Sequence, residues 1–206
     1  GYVTGTASIT VRGLKLSLAA RPPSAAFFDL KVLAAAPARL IRAGIGDALC
    51  RTTAQAGTKW RYGIYNGGSY DSIRENYVHH IAKTIPCTSG GGSAIGADSY
   101  YKGVKVEIIS KVVHDIGPAG CHFVQGIYMS TSGVIKNNVA YRVAEAAIHL
   151  WHDARDVIIT NNTVTESNTG IIVGGGNFYH TKGPNDHTLV YSNIVYDNKM
   201  GISEQG

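Results

Sequence analysis

The sequence predicts an all-β fold, a right-handed parallel β-helix (a solenoid) with a short α/β segment before it, and three observations carry the prediction. A small residue followed by Ile recurs as Gly63-Ile64, Ala94-Ile95, Gly126-Ile127, Ala147-Ile148, Gly170-Ile171 and Gly201-Ile202, at intervals of 31, 32, 21, 23 and 31 residues. The shortest intervals fit one solenoid coil, and the longer ones fit the same coil with an inserted loop, such as 86–92 or 174–184. A second column keeps the same phase: Asn76-Tyr77-Val78, Lys111-Val112-Val113, Asn138-Val139-Ala140, Asn162-Thr163-Val164 and Asn193-Ile194-Val195. The strands are short and β-branched, and Asn, Gly and Asp turns join them with no helical stretch between, which suits stacked parallel coils and not βαβ units.

Taken in order, the chain has two compositions. Residues 1–56 hold thirteen Ala and no His or Asn, whereas all eight His, all eleven Asn and 20 of the 25 Gly follow, so a boundary is expected near residue 56. Before it come an alternating strand at residues 6–11, a turn at Gly13, a Pro22-Pro23 break and an Ala-rich helical stretch near 32–40, which Pro37 would start or bend. With 44% hydrophobic residues the chain can bury a core, and no apolar run reaches the roughly 18 residues of a membrane span. Gly1 in place of Met reads as a start inside a longer sequence, which leaves localisation open.

The net charge of +5 lies wholly in residues 1–56, where seven Lys/Arg face Asp29 and Asp47; the remainder carries twelve of each sign. Without a basic stripe, nucleic-acid binding is not expected. Cys50, Cys87 and Cys121 form no C-x-x-C pair, so they read as buried small apolar residues rather than as a disulfide framework or a zinc site.

The pleat assigns faces. Along each small-Ile strand the Ile points inward, so Met129, Leu150 and Val173 stack inside with Ile127, Ile148 and Ile171. Outward positions run Tyr65, Gly96, Tyr128, His149, Ile172 and Ser203, and two residues on they run Gly67, Asp98, Ser130, Trp151, Gly174 and Gln205. One face therefore gathers Tyr128, His149, Trp151 and Asp98, with His152, Asp153 and His122 beside it, and exposed aromatics next to ionisable groups suit sugar rings. A lyase needs a base, a cation and an acid. His149 or His152 is the candidate base, Tyr128 the acid, and Arg142 or Arg155 the cation. A hydrolase would draw instead on two of Asp98, Asp153 and Asp186. The competing reading is a ladder of stacked side chains without a substrate. Asn138, Asn162 and Asn193 read as a scaffold ladder. A second outer column, His79, His114, Tyr141, Thr165 and Tyr196, is followed by His80, Asp115, Arg142, Glu166 and Asp197, which suits an ion-pair ladder; His79 and His114 with Asp115 also offer a weak divalent-cation pattern.

Two resemblances sharpen these expectations. In Gly126-Ile127-Tyr128-Met129-Ser130-Thr131, Ile148-His149-Leu150-Trp151-His152-Asp153 and Gly183-Pro184-Asn185-Asp186, residues 57–206 resemble right-handed parallel β-helix proteins of the pectate-lyase superfamily. The likeness implies polysaccharide lyases, glycoside hydrolases or inactive relatives, and a secreted or periplasmic setting. In residues 32–49, above all Gly44-Ile45-Gly46-Asp47, residues 1–56 resemble the sn-glycerol-1-phosphate dehydrogenase branch of the iron-dependent alcohol dehydrogenases. That likeness implies a metal ligand at Asp47 whose partner histidines and nucleotide-binding half are missing, hence a broken dehydrogenase and a chimeric chain.

The sequence-level expectation is thus a carbohydrate-active protein that cleaves or binds an acidic polysaccharide or oligosaccharide. Its catalytic candidates are His149, His152, Asp153 and Tyr128, and its substrate-binding candidates Trp151, Arg142, Asp98 and His122. The alternatives are a non-catalytic carbohydrate-binding or structural β-helix and a metal-dependent oxidoreductase remnant. No cofactor is called for beyond an optional divalent cation, and no membrane or nucleic-acid partner. Because Gly201–Gly206 reads as an uncapped strand, a homo-oligomer is expected, with residues 1–56 as a cap or oligomerisation segment.

Overall fold

The computed structural model describes residues 59–205, together with the backbone of two earlier strands, β1 (Thr6–Val11) and β2 (Leu14–Ala19). The chain divides into two compact units, residues 1–48 and 49–206. In the first, β1 and β2 pair antiparallel with Val11 opposite Leu14. The expected strand at 6–11 is present and β2 is an addition to the reading, while the expected turn at Gly13 lies outside the described residues. The expected helix at 32–40 lies outside the described residues.

The second unit is a parallel β-solenoid of five three-stranded coils. They are β3 (Tyr62–Asn66), β4 (Ser72–Arg74) and β5 (Tyr77–His79); β6 (Gly92–Ala97), β7 (Val106–Ile109) and β8 (Val112–Ile116); β9 (Val124–Met129), β10 (Gly133–Lys136) and β11 (Val139–Val143); β12 (Ala146–Leu150), β13 (Val157–Thr160) and β14 (Thr163–Thr165); and β15 (Thr169–Gly174), β16 (Leu189–Tyr191) and β17 (Ile194–Val195). A last strand, β18 (Met200–Gln205), lies on β15. Stacking makes three sheets: β3-β6-β9-β12-β15-β18, β4-β7-β10-β13-β16 and β5-β8-β11-β14-β17.

The register repeats the sequence columns. Ile64, Ile95, Ile127, Ile148, Ile171 and Ile202 are consecutive partners along the first sheet. Ile95, Ile127, Ile148, Ile171, Met129 and Leu150 are fully buried, and Val173 packs against them. Val78, Val113, Ala140 and Val164 from the third sheet meet Ile108, Ile135 and Ile159 from the second to complete the core. At Gly126 and Gly170 the residue before the Ile is tightly packed: a Cβ on Gly126 would lie 2.5 Å from the Ala147 carbonyl oxygen, and one on Gly170 2.6 Å from that of Gly201.

The turns between second and third strands form the asparagine ladder. Asn138 Nδ2 donates to the Ile108 carbonyl and to Asn162 Oδ1, while Asn162 Nδ2 donates to the Ile135 carbonyl and to Asn193 Oδ1. Each Oδ1 also accepts the backbone N–H one coil back, as Asn162 does from Asn138 N. Lys111 occupies one rung; its backbone N–H donates to Asn138 Oδ1 and its buried Nζ to Asn76 Oδ1. The residue before each rung, Glu75, Ser110, Asn137, Asn161 and Ser192, has φ of 54–57°, a left-handed corner that the ladder holds in place.

The cysteine reading is corrected: Cys87 and Cys121 form a disulfide with Cα atoms 5.5 Å apart. Their separation of 34 residues equals one coil with its loop, so the solenoid stacks them in a way linear spacing does not reveal.

Candidate functional site

The first sheet turns its outward column toward a cleft of about 470 Å³. Pairing places Tyr65 beside Gly96, Gly96 beside Tyr128, Tyr128 beside His149 and His149 beside Ile172, as the alternation predicts. Gly96 carries no side chain between two tyrosines, and this gap deepens the cleft floor. Tyr62, Asp98, His122, Trp151, His152 and Tyr179 complete the aromatic and ionisable lining.

Each candidate has a defined setting. Both ring nitrogens of His149 are buried without a hydrogen-bond partner among the described residues. Burial, reinforced by nearby His152, pulls its pKa from 6.5 down to about 4, so His149 is neutral at pH 7. Burial likewise pushes the Tyr128 hydroxyl well above the ordinary phenol range. His152 Nδ1 donates to the Asn177 carbonyl, Nε2 lies 3.1 Å from the Tyr179 hydroxyl, and the Tyr179 ring stacks on the imidazole at 4.3 Å, which fixes the ring in place. Trp151 lies against the glycine loop: Cβ atoms on Gly174 and Gly176 would come within 2.9 and 2.6 Å of its indole. The loop is thus built of glycine to seat that ring.

Asp153 is buried and is not among the described lining residues of the cleft. Burial alone would raise its pKa, but the Ser99 hydroxyl, the His180 and Thr181 backbone N–H groups and the Thr181 hydroxyl outweigh it and leave the group below its ordinary value. Tyr179 N–H donates to it as well, so Asp153 fixes the loop that carries Tyr179. Asp98 stands on the cleft wall, where Oδ2 accepts from the Tyr65 hydroxyl at 2.8 Å and Oδ1 from Tyr100 N–H and Ser130 Oγ. His122 is on the rim with Nδ1 2.8 Å from Glu145.

Arg142 is not in the cleft. It lies on the third sheet's side, where Nε and Nη2 hold the two oxygens of Asp115 at 2.8 and 2.6 Å, and Nη1 is 3.9 Å from Glu166. Arg155 pairs with Asp186. Neither arginine lines the cleft, and no lysine or arginine is among its described lining residues. Tyr62 and Tyr179 were not singled out by the sequence reading; Tyr62 stands just before the first small-Ile pair, and Tyr179 only reaches the cleft because its loop folds back onto Asp153.

The His79, His114 and Tyr141 column stacks with ring centroids 5.2 and 4.8 Å apart and nearly parallel planes. At its edge His80, His114 and Asp115 each offer one ligand atom, all within 4.8 Å of one another. His114 Nδ1 is 2.5 Å from Asp115 Oδ2, and the Asp115 carboxyl is held well below the usual range, first by its Arg142 hydrogen bonds and then by His114. His79, whose pKa is pulled down by burial first and then by the two neighbouring histidines, flanks the group. His80 and Asp115 both occupy left-handed corners, φ 57° and 56°, which aligns their side chains on one edge. Two imidazoles and a carboxylate match the donor set of divalent transition metals.

The depressed His149 pKa gives a stability prediction. Between about pH 6.5 and pH 4 the unfolded chain protonates this histidine and the folded chain does not, so its contribution, complete above pH 6.5, is lost as pH falls through that window, by up to about 3 kcal/mol. Urea midpoints of the native chain and His149→Gln between pH 7 and 4 test this. The two curves should converge on acidification, and parallel curves would refute the burial of His149.

No family model matches the chain, and no solved structure matches it. Curated relatives do. Glycerol-1-phosphate dehydrogenase (NAD(P)+) of Pyrococcus furiosus is 28% identical over 171 residues, covering 83% of this chain and 43% of that protein. The enzyme of the same name from Thermococcus kodakarensis is 28% identical over 171 residues, 83% of this chain and 42% of its own. That of Sulfolobus acidocaldarius is 40% identical over 70 residues, 34% of this chain and 19% of its own. The chain thus spans less than half the length of these relatives. Residues 1–56 cannot supply more than 56 of the 171 matched residues, so the likeness also runs through much of 57–206, further than the sequence reading carried it. These names overturn the carbohydrate-active expectation. They favour the oxidoreductase alternative, and the cleft, lacking a lysine or arginine among its described lining residues, does not assemble the lyase constellation of base, acid and cation.

Proposed function

We propose that this chain is a metal-dependent oxidoreductase remnant of the glycerol-1-phosphate dehydrogenase type. The observation that carries the reading is the 171-residue match to dehydrogenases of that name. Such an enzyme moves a hydride from the carbinol carbon of a polyol phosphate to the nicotinamide of NAD(P)+ and releases the hydroxyl proton. His80, His114 and Asp115 are the described residues that fit a divalent cation, with Arg142 fixing the carboxylate and His79 packed on His114. A bound cation supplies Lewis-acid polarisation of an oxygen ligand. Among the described residues no strand, glycine turn and helix follow one another, so they do not fit a dinucleotide, and no hydride step is assigned to them. We also take the coil to be right-handed and of the pectate-lyase type, supported by the general hand of parallel crossovers and by the asparagine ladder.

Titration of the whole chain with Co²⁺, followed by visible absorption, tests the metal assignment. One ion per chain is expected, with binding weakened about tenfold or more by His114→Ala. Absence of stoichiometric binding removes the metal from the reading. Sustained NADPH oxidation with dihydroxyacetone phosphate by the chain alone would replace a remnant with a working enzyme.

A further inference from the structure

The cleft on the first sheet has a composition that neither a phosphate nor a carboxylate ligand would favour. Its walls carry Tyr62, Tyr65, Tyr128, Trp151 and Tyr179, and its only described carboxylate is Asp98. The hydroxyls of Tyr62, Tyr65, Tyr128 and Tyr179 are all pushed up, by burial first, so they stay neutral. His149 is neutral at pH 7, and the His152 ring is held in place by Asn177 and Tyr179. The lining thus gathers five aromatic side chains around a single described carboxylate, and an aromatic ring offers a cation the negative face of its quadrupole.

A second observation points to a ligand. Three polar atoms of the lining, Ser93 Oγ and both ring nitrogens of His149, are buried with no hydrogen-bond partner among the described residues. Buried polar groups are ordinarily satisfied, and three of the five unpartnered ones among the described residues lie beside this one cleft. Asp98 is positioned for the role of counter-charge: the Tyr65 hydroxyl, Tyr100 N–H and Ser130 Oγ fix the carboxylate on the wall. Gly96 leaves the floor open between Tyr65 and Tyr128, where an added Cβ would sit 3.4 Å from the Tyr65 ring.

We propose that this cleft binds a small organic cation, a quaternary ammonium or protonated amine, with Trp151 and the tyrosines against its methyl or methylene groups and Asp98 as the counter-charge. A cleft of about 470 Å³ accommodates a head group of that size with a short tail. The assignment is independent of the metal reading, because it lies on the first sheet and involves none of His80, His114 and Asp115.

The test compares choline with 3,3-dimethylbutan-1-ol, which has the same shape without the charge, by calorimetric titration of the whole chain. Choline should bind at least about tenfold more tightly than the alcohol, the gain of a desolvated cation on aromatic faces. Trp151→Ala should weaken choline about tenfold and Trp151→Phe much less. Asp98→Asn, which keeps an acceptor for Tyr65, should weaken choline about threefold or more while leaving the alcohol unchanged. Equal affinities for choline and the alcohol, or no choline binding to the native chain, overturn the proposal whether or not the variants fold. Loss of Co²⁺ binding with choline binding intact would leave this proposal standing and remove only the metal reading.

Discussion

Ile148→Asp should abolish cooperative folding of the solenoid. Ile148 is fully buried in the middle of the isoleucine stack, paired with Ile127 on one side and Ile171 on the other. An aspartate there must ionise without a partner or take up a proton against a steep cost, and either removes several kcal/mol from a total stability of about 5–15 kcal/mol. The control Ile148→Val keeps the apolar surface and should cost only about 1 kcal/mol. Circular dichroism during thermal unfolding separates the cases; a cooperative transition in Ile148→Asp would mean that this side chain does not face the core.

Gly133→Ala is expected to be nearly as severe for a different reason. Gly133 opens β10 with φ of 152° and pairs with Val106. A Cβ at this position would stand 1.9 Å from the Val106 carbonyl oxygen and 2.8 Å from its nitrogen, and both are backbone atoms that cannot rotate away. The strand would have to leave the second sheet, at a cost of about 3 kcal/mol or more. Gly120→Ala is the matching control: its φ of 75° carries the strain of a left-handed residue, but nothing lies within 4 Å of the added atom. A Gly133→Ala variant no less stable than Gly120→Ala would refute the close approach of β10 to β7.

The isoleucine and asparagine columns were legible because each recurs once per coil in a position only one residue type fills well: an inward β-branched side chain, or a turn amide that serves two coils. The outward order Tyr65, Gly96, Tyr128, His149 followed from the pleat alone. The second sheet was not legible, because stretches such as Val157–Thr160 and Gly133–Lys136 lack a marker residue. The disulfide, the burial of Lys111 and the capture of Asp153 by residues 179–181 were hidden for a common reason: each depends on where a loop returns, and loop return is not periodic. The aromatic side of the cleft could be read from the sequence, and so could the ion-pair column of Asp115, Arg142 and Glu166 on another face; offering Arg142 also as the cation of the cleft conflicted with that column.

The asparagine ladder has a mechanical consequence. Each rung from Asn138 to Asn193 ties one coil to the next through a side-chain amide and a backbone N–H, and the sheets likewise bond each coil only to its neighbours. A pull along the axis therefore loads the coils in series, and the weakest junction governs the force at which the stack parts. Lys111 marks one junction where a flexible ammonium stem replaces the amide, and the Cys87–Cys121 bridge ties the same two coils covalently. The molecule thus carries its one covalent tie, among the described residues, across the interval where its amide staircase changes material.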